Sequence, residues 1–135
     1  MKKFAVCQCG GLSAEIEGDD GFVVACNCQA CQHRTGSPFG VGGYFQKSAV
    51  KIKGDEKTWS RSSDSGRGIT NHFCANCGTT LYWDLDMRPD HFGIALGCFK
   101  TPMPDPMRVV WTEEKHAWVE FPDHWEQYPQ ATPGV

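Results

Sequence analysis

No stretch of this sequence is long and apolar enough to span a membrane. The opening residues, Met1-Lys2-Lys3-Phe4-Ala5-Val6, lack the apolar run of a signal peptide. These absences predict a cytoplasmic protein with no membrane partner. A basic surplus is missing too: the formal net charge is -3 and the pI about 5.9. That balance argues against a nucleic-acid binder, which needs a basic face to neutralise phosphates. Internal repeats, low-complexity tracts and linkers are absent, and helical periodicity is almost so. Apolar residues make up only 40%, against 15 glycines and 8 prolines. A chain of 135 residues is the size of one domain, here residues 1–135, but its core is modest. Bound metal would supply the missing constraint, because metal-binding free energy becomes folding free energy.

What the chain has is cysteine. Seven of its eight cysteines fall in three tight clusters: Cys7-Gln8-Cys9, Cys26-Asn27-Cys28-Gln29-Ala30-Cys31 and Cys74-Ala75-Asn76-Cys77. In a reducing compartment such spacing suits metal knuckles better than disulfides. Four thiolates fill a tetrahedral zinc site and make it structural. Three leave a corner open for water or a substrate thiol. The inventory therefore predicts two zinc ions per chain, one closed and one open.

Strand periodicity dominates the rest. Leu12, Ala14 and Ile16 alternate with Ser13 and Glu15, and Asp19-Asp20-Gly21 follows as a turn. Phe22 to Ala25, Val41 to Phe45, Val50 to Ile52, Thr58 to Ser63, Ile69 to Phe73, Leu81 to Leu85 and His91 to Cys98 read as further strands. Ser65-Gly66-Arg67-Gly68 suits a hairpin turn, and the proline run Thr101 to Pro106 must be irregular. Trp111 and His116 to Glu120 suit late strand or turn structure. Only Cys28 to Arg34 suits a short helical turn. The prediction is a mainly β, zinc-stapled domain of antiparallel sheets with very little helix.

Spacing leaves the cysteine partition open. Cys74 and Cys77, with Gly78 permitting the tight turn, could pair with Cys28 and Cys31. The stretch between them is long for a zinc ribbon, and that choice splits the triplet. Pairing Cys7 and Cys9 with Cys74 and Cys77 keeps whole clusters together and leaves Cys26, Cys28 and Cys31 as a unit. Three candidates could close that second site as a fourth ligand: Cys98, His33 and His72. Cys98, alone at the end of an apolar run, also reads as a small buried hydrophobe.

Cys7-x-Cys9-Gly10, Cys26-x-Cys28-x-x-Cys31 and Phe73-Cys74-x-x-Cys77-Gly78-Thr79 together resemble the glutathione-dependent formaldehyde-activating enzyme family, which includes centromere protein V-like domains. The likeness continues through Thr35-Gly36-Ser37-Pro38-Phe39, Ser65-Gly66, His72, Leu81-Tyr82-Trp83 and His116-x-Trp118. It implies a β-tent fold. It also implies structural zinc on Cys7, Cys9, Cys74 and Cys77, and catalytic zinc on Cys26, Cys28 and Cys31 with a glutathione sulfur as fourth ligand. The implied reaction joins glutathione and formaldehyde into S-hydroxymethylglutathione, a carbon–sulfur lyase reaction run in reverse.

Other roles follow from residue chemistry. His33, two residues past Cys31, is the first candidate proton carrier, because an ordinary histidine titrates near pH 6.5. Tyr44 is the second. Arg34 and Lys100 could meet the carboxylates of a thiol substrate. Ser37-Pro38-Phe39 would wall the second cluster, and Met103 and Met107 would form a lid. Trp83, Trp111, Trp118 and Trp125 stand among acidic residues, so they predict core or pocket wall, not a base-stacking platform. Two other function classes fit the same cysteines: a binding module whose metals only staple the fold, and a thiol sensor that releases zinc on oxidation.

Overall fold

The computed structural model describes residues 2–62 and 67–133. Strands β1 (Lys2–Val6), β2 (Ser13–Glu17) and β5 (Val50–Lys53) form a small antiparallel sheet in the order β1-β2-β5. The large sheet uses β3 (Phe22–Cys26), β4 (Gly40–Gln46), β6 (Glu56–Arg61), β7 (Ile69–Cys74), β8 (Thr80–Leu85), β9 (Arg88–Ala95), β10 (Arg108–Val110) and β11 (Glu126–Gln127). Their spatial order is β11-β10-β3-β4-β9-β8-β7-β6. Among the described residues there is one α-helix, α1 (Gln29–Thr35), which comes soon after β3. The mainly β architecture agrees with the composition.

Period-two patterning decides what each sheet face meets. Ala14 and Ile16 of β2 are buried beside Ala5 and Leu12 from the small sheet side. They pack against Phe45, Leu81 and Ile94 from the large sheet, which forms the main core between the two. On β4 the alternation is sharp: Phe45 enters this core, while Gly42 and Tyr44 face a cavity on the other side. The large sheet thus has one face for stability and one for function.

Three features depart from expectation. β10 runs parallel to both β3 and β11, so the large sheet is mixed. β1, β10 and β11 were not foreseen; β10 and β11 are too short to show a period. β9 stops at Ala95, and Leu96–Cys98 turns into a 3₁₀ segment instead of extending the strand. Residues 101–106 are irregular, as their prolines require. Residues 63–66, which hold most of the expected hairpin turn, lie outside the described residues.

Candidate metal centres and an arginine-lined cavity

Two knuckles build the first sulfur group. After β1, the Cys7 carbonyl accepts from Gly10 N–H (3.1 Å); after β7, the Cys74 carbonyl accepts from Gly78 N–H (3.0 Å). Gly10 and Gly78 hold φ of 86° and 81°, which costs a side chain dearly and glycine little. The chain reversals aim backbone N–H groups at sulfur. Leu12 N–H donates to Cys7 Sγ (3.2 Å), Gly11 N–H to Cys9 Sγ (3.4 Å) and Asn76 N–H to Cys74 Sγ (3.4 Å). The Thr79 hydroxyl, 3.2 Å from Cys77 Sγ, draws that thiol down to about 5.

Cys9 Sγ lies 3.7 Å from Cys7 Sγ and 3.6 Å from Cys74 Sγ. A tetrahedral ion with sulfurs about 2.3 Å away sets them roughly 3.8 Å apart, so these four residues fit zinc. None of the eight cysteines is in a disulfide. This group joins the end of β1 in the small sheet to the end of β7 in the large one. Cys7 and Cys74 are buried members of the core itself.

The second group, Cys26, Cys28 and Cys31, has its three sulfurs within 4.8 Å of one another. Cys26 ends β3, Cys28 is the N-cap of α1 and Cys31 lies in its first turn. Cys31 N–H donates to Cys28 Sγ at 3.4 Å. Asn27 pins the turn between them. It is fully buried, and both its backbone N–H (3.1 Å) and its Nδ2 (3.0 Å) donate to the Val110 carbonyl. Its own carbonyl accepts from Gln32 Nε2 at 2.8 Å. The pairing with Cys26 lowers the Cys28 thiol to about 2, and the same pairing, with burial, pushes Cys26 far up. Three sulfurs so close cannot all be thiolates without a cation among them, so this donor set also fits a metal. Among the described residues no fourth Cys, His, Asp or Glu joins the trio.

The trio opens onto a cavity of about 690 Å³. Its floor is one face of the large sheet: Phe22 and Val24 of β3, Gly42 and Tyr44 of β4, Trp83 and Leu85 of β8, Ile69 and Asn71 of β7. Trp83 lies flat on the sheet because its neighbours are glycines. A Cβ on Gly93 would meet Trp83 Nε1 at 2.1 Å, and one on Gly42 would meet Cζ2 at 2.7 Å. The Arg34 guanidinium then stacks 4.0 Å from the Trp83 ring centroid. Tyr44 packs against Phe22 at 5.3 Å and edge-on to Trp83 at 6.3 Å. Burial, and then the charge on Cys31, raise the Tyr44 phenol well above its ordinary value, so it stays protonated. Trp111, on the rim, has φ of 58°, a left-handed conformation rare for an aromatic residue.

The family of glutathione-dependent formaldehyde-activating enzymes matches residues 3–120. The chain belongs to that family. A crystal structure of a Rhodobacter sphaeroides protein shares the fold, with a TM-score of 0.57 at 18% identity, covering 75% of this chain and 91% of that one. No curated protein matches the chain.

In this member of the family, the structure brings Cys7, Cys9, Cys74 and Cys77 together and keeps Cys26, Cys28 and Cys31 apart from them. Arg34 lines the cavity beside the trio. His33 points to solvent from α1, and Lys100 is exposed; neither lines that cavity. His72 cannot serve as a ligand, because Glu56 takes its Nδ1 and Asp84 its Nε2 (2.6 Å), with Tyr82 stacked on its ring at 4.1 Å. Cys98 packs on the core near Cys7 and Cys77, its thiol pushed up by burial, and belongs to neither sulfur group. Ser37 and Phe39 border a different hollow, next to Cys77 and Thr79. Met103 packs on the core and Met107 is exposed, so neither covers the cavity. Trp83 and Trp111 are cavity wall as expected, but Trp118 is 71% exposed and stacks on His116.

Sequence reasoning missed Arg61, Arg67, Arg88 and Arg108, all of which line the cavity. They are scattered over 48 positions from 61 to 108, so no local pattern marks them.

Proposed function

We propose that the protein is a zinc-dependent enzyme joining glutathione, or a similar thiol, to formaldehyde, and releasing them in reverse, in the carbon–sulfur lyase class. One observation carries this reading: three sulfurs, with no fourth ligand among the described residues, open onto a cavity with room for a tripeptide thiol. Family membership supports it. Cys7, Cys9, Cys74 and Cys77 would hold a structural zinc, and Cys26, Cys28 and Cys31 a catalytic one. The catalytic ion, when bound, supplies the charge that keeps a substrate thiol ionised near neutral pH, where a free thiol of pKa about 8.5 is mostly protonated.

The chain's own residues do the rest. Asn27 and the α1 N-terminus hold the sulfur trio rigid, so its open side always faces the cavity. Arginines on the wall draw in the carboxylates of the thiol and orient them. Trp83, Tyr44 and Phe22 present a dry, flat floor that excludes water from the reacting carbon. The thiol sulfur attacks the carbonyl carbon, the C–S bond forms, and the carbonyl π pair moves onto oxygen. Tyr44, which lines the same cavity as Cys31, stays protonated and can donate a hydrogen bond to that oxygen, where the proton released by the thiol ends. Tyr44 thus faces the reacting oxygen where His33 was first expected; His33 faces solvent.

The test is thiol binding to cobalt-substituted protein combined with turnover. Glutathione should add a sulfur-to-cobalt absorption band, and the loaded enzyme should speed formaldehyde exchange with S-hydroxymethylglutathione, measured by NMR. An unchanged spectrum with no rate enhancement refutes the proposal.

A further inference from the structure

Trp111 stands out by what the fold does not ask of it. Its backbone is left-handed, with φ 58° and ψ 40°, and among the described residues it is the only non-glycine residue with positive φ. That conformation disfavours a side chain, because Cβ crowds the following carbonyl oxygen. The surroundings hold the backbone there. Trp111 N–H donates to the Gln130 carbonyl (3.1 Å), Glu114 N–H donates to the Trp111 carbonyl (3.1 Å), and Thr112 N–H donates to the Tyr128 carbonyl (3.1 Å). The kink has a use: it turns the chain out of β10 into the 3₁₀ segment Thr112–Glu114, from which the Glu114 carboxylate accepts from Gln29 N–H at the start of α1 (2.8 Å). A glycine would make the same turn without strain.

The indole is a separate matter. It is half-buried and outside the core, and it pairs with no other aromatic ring and no cation among the described residues. Its Nε1–H is accessible and has no hydrogen-bond partner among them. The backbone thus suits glycine, and the large side chain answers no need inside the protein. What it does is line the cavity. Strain held in place by its surroundings at a cavity wall marks a functional position.

The register says which end of the cavity this is. β10 runs parallel to β3 with Val110 level with Cys26, and the Val110 carbonyl accepts from Asn27, the residue between Cys26 and Cys28. Trp111 comes next, so it stands at the sulfur end, on a cavity that Cys26, Cys28 and Cys31 also line. A thiol whose sulfur joins the trio lays its first few atoms here. Tryptophan suits a peptide at such a place: its flat face packs on an amide, and its N–H, the one polar atom of the ring, needs an acceptor.

We propose that Trp111 is the specificity-determining contact for the thiol. Its ring packs on the amide next to the thiol-bearing residue, and Nε1–H donates to that amide's carbonyl oxygen. The site thereby selects cysteinyl peptides, of which glutathione is one, over small alkyl thiols. This rests on the thiol-adduct function proposed above.

The experiment titrates cobalt-substituted protein with glutathione and with 2-mercaptoethanol, reading the sulfur-to-cobalt band, and records a melting curve for each variant. Wild type should bind glutathione the more tightly. Trp111→Gly, which relieves the backbone, should weaken glutathione by about tenfold or more, leave 2-mercaptoethanol within about twofold, and melt within about 5 °C of wild type. Trp111→Phe, which keeps a ring and loses the N–H, should weaken glutathione by about two- to tenfold. Should Trp111→Gly not fold, Trp111→Asn, whose side chain tolerates a left-handed backbone, replaces it. Unchanged glutathione affinity in either variant, an equal loss for both thiols, a larger fall in melting temperature, or failure of both Trp111→Gly and Trp111→Asn to fold makes Trp111 a support of the fold and overturns the proposal. Equal affinity of wild type for the two thiols also overturns it, and leaves the thiol-adduct function standing. No band from either thiol with wild type overturns both.

Discussion

The two sulfur groups differ in what they tie together, and that difference has a measurable size. Cys9 and Cys74, in contact at 3.6 Å, are 65 residues apart in the chain. A cross-link closing a loop of that length removes roughly 4 kcal/mol of chain entropy from the unfolded state. The trio spans only Cys26 to Cys31, and closing so short a segment is worth about 2 kcal/mol by the same relation. The first group also joins the small sheet to the large one and puts Cys7 and Cys74 into the core, at 3% and 2% exposure. Loss of a metal held there would therefore untie the core as well as the loop. For a domain of this size, about 1 kcal/mol shifts the melting temperature by roughly 3–5 °C. Cys74→Ser should lower it by about 12 °C or more, or leave the protein unfolded. Cys28→Ser should cost less than about 10 °C, keep the native circular dichroism and lose one zinc of two by elemental analysis. Cys98→Ser should keep both. If Cys28→Ser melts as low as Cys74→Ser, the division into a structural and an open site is wrong.

Two further outcomes follow from the cavity floor. Gly93→Ala puts a methyl carbon 2.1 Å from Trp83 Nε1, so the indole must leave the sheet and Arg34 loses its stacking surface. We expect a loss of about 1–3 kcal/mol and a red shift of tryptophan emission; an unshifted spectrum at wild-type stability contradicts the packing. The phenols of Tyr44 and Tyr82 are both raised, foremost by burial. A raised acid holds its proton longer folded than unfolded, so the stability it contributes is complete below the unfolded value of about 10 and falls as pH climbs beyond it. The melting temperature should drop above that pH, and Tyr44→Phe should flatten the slope. An equal slope in the variant removes Tyr44 from the account.

Much of this was legible one residue at a time. Alternation at Leu12, Ala14 and Ile16 marked β2 because a strand buries every second side chain. The knuckle spacings of Cys7-x-Cys9 and Cys74-x-x-Cys77-Gly78 marked a metal site because two close ligands and a glycine reversal are local properties. The short helix at Gln29–Thr35 was visible for the same reason. The parallel pairing of β10 with β3 was not: three residues after a proline run carry no period, and their partner lies more than eighty positions earlier. His33 looked well placed because it follows Cys31 by two residues, yet two residues along a helix is just over half a turn, and its ring faces water. Nor could the chain order show that Glu56 and Asp84, on strands flanking β7, would claim both nitrogens of His72.

Ligand type, ligand count and strand content belong to the primary structure, since each depends on neighbours within about six positions. Which sulfurs come together, and where the arginines go, were settled only by folding. Arg34, Arg61, Arg67, Arg88 and Arg108 come from separate elements, and it is strand order across the large sheet that turns scattered cations into one positive wall. Charge acts through space, and the chain records only sequence distance.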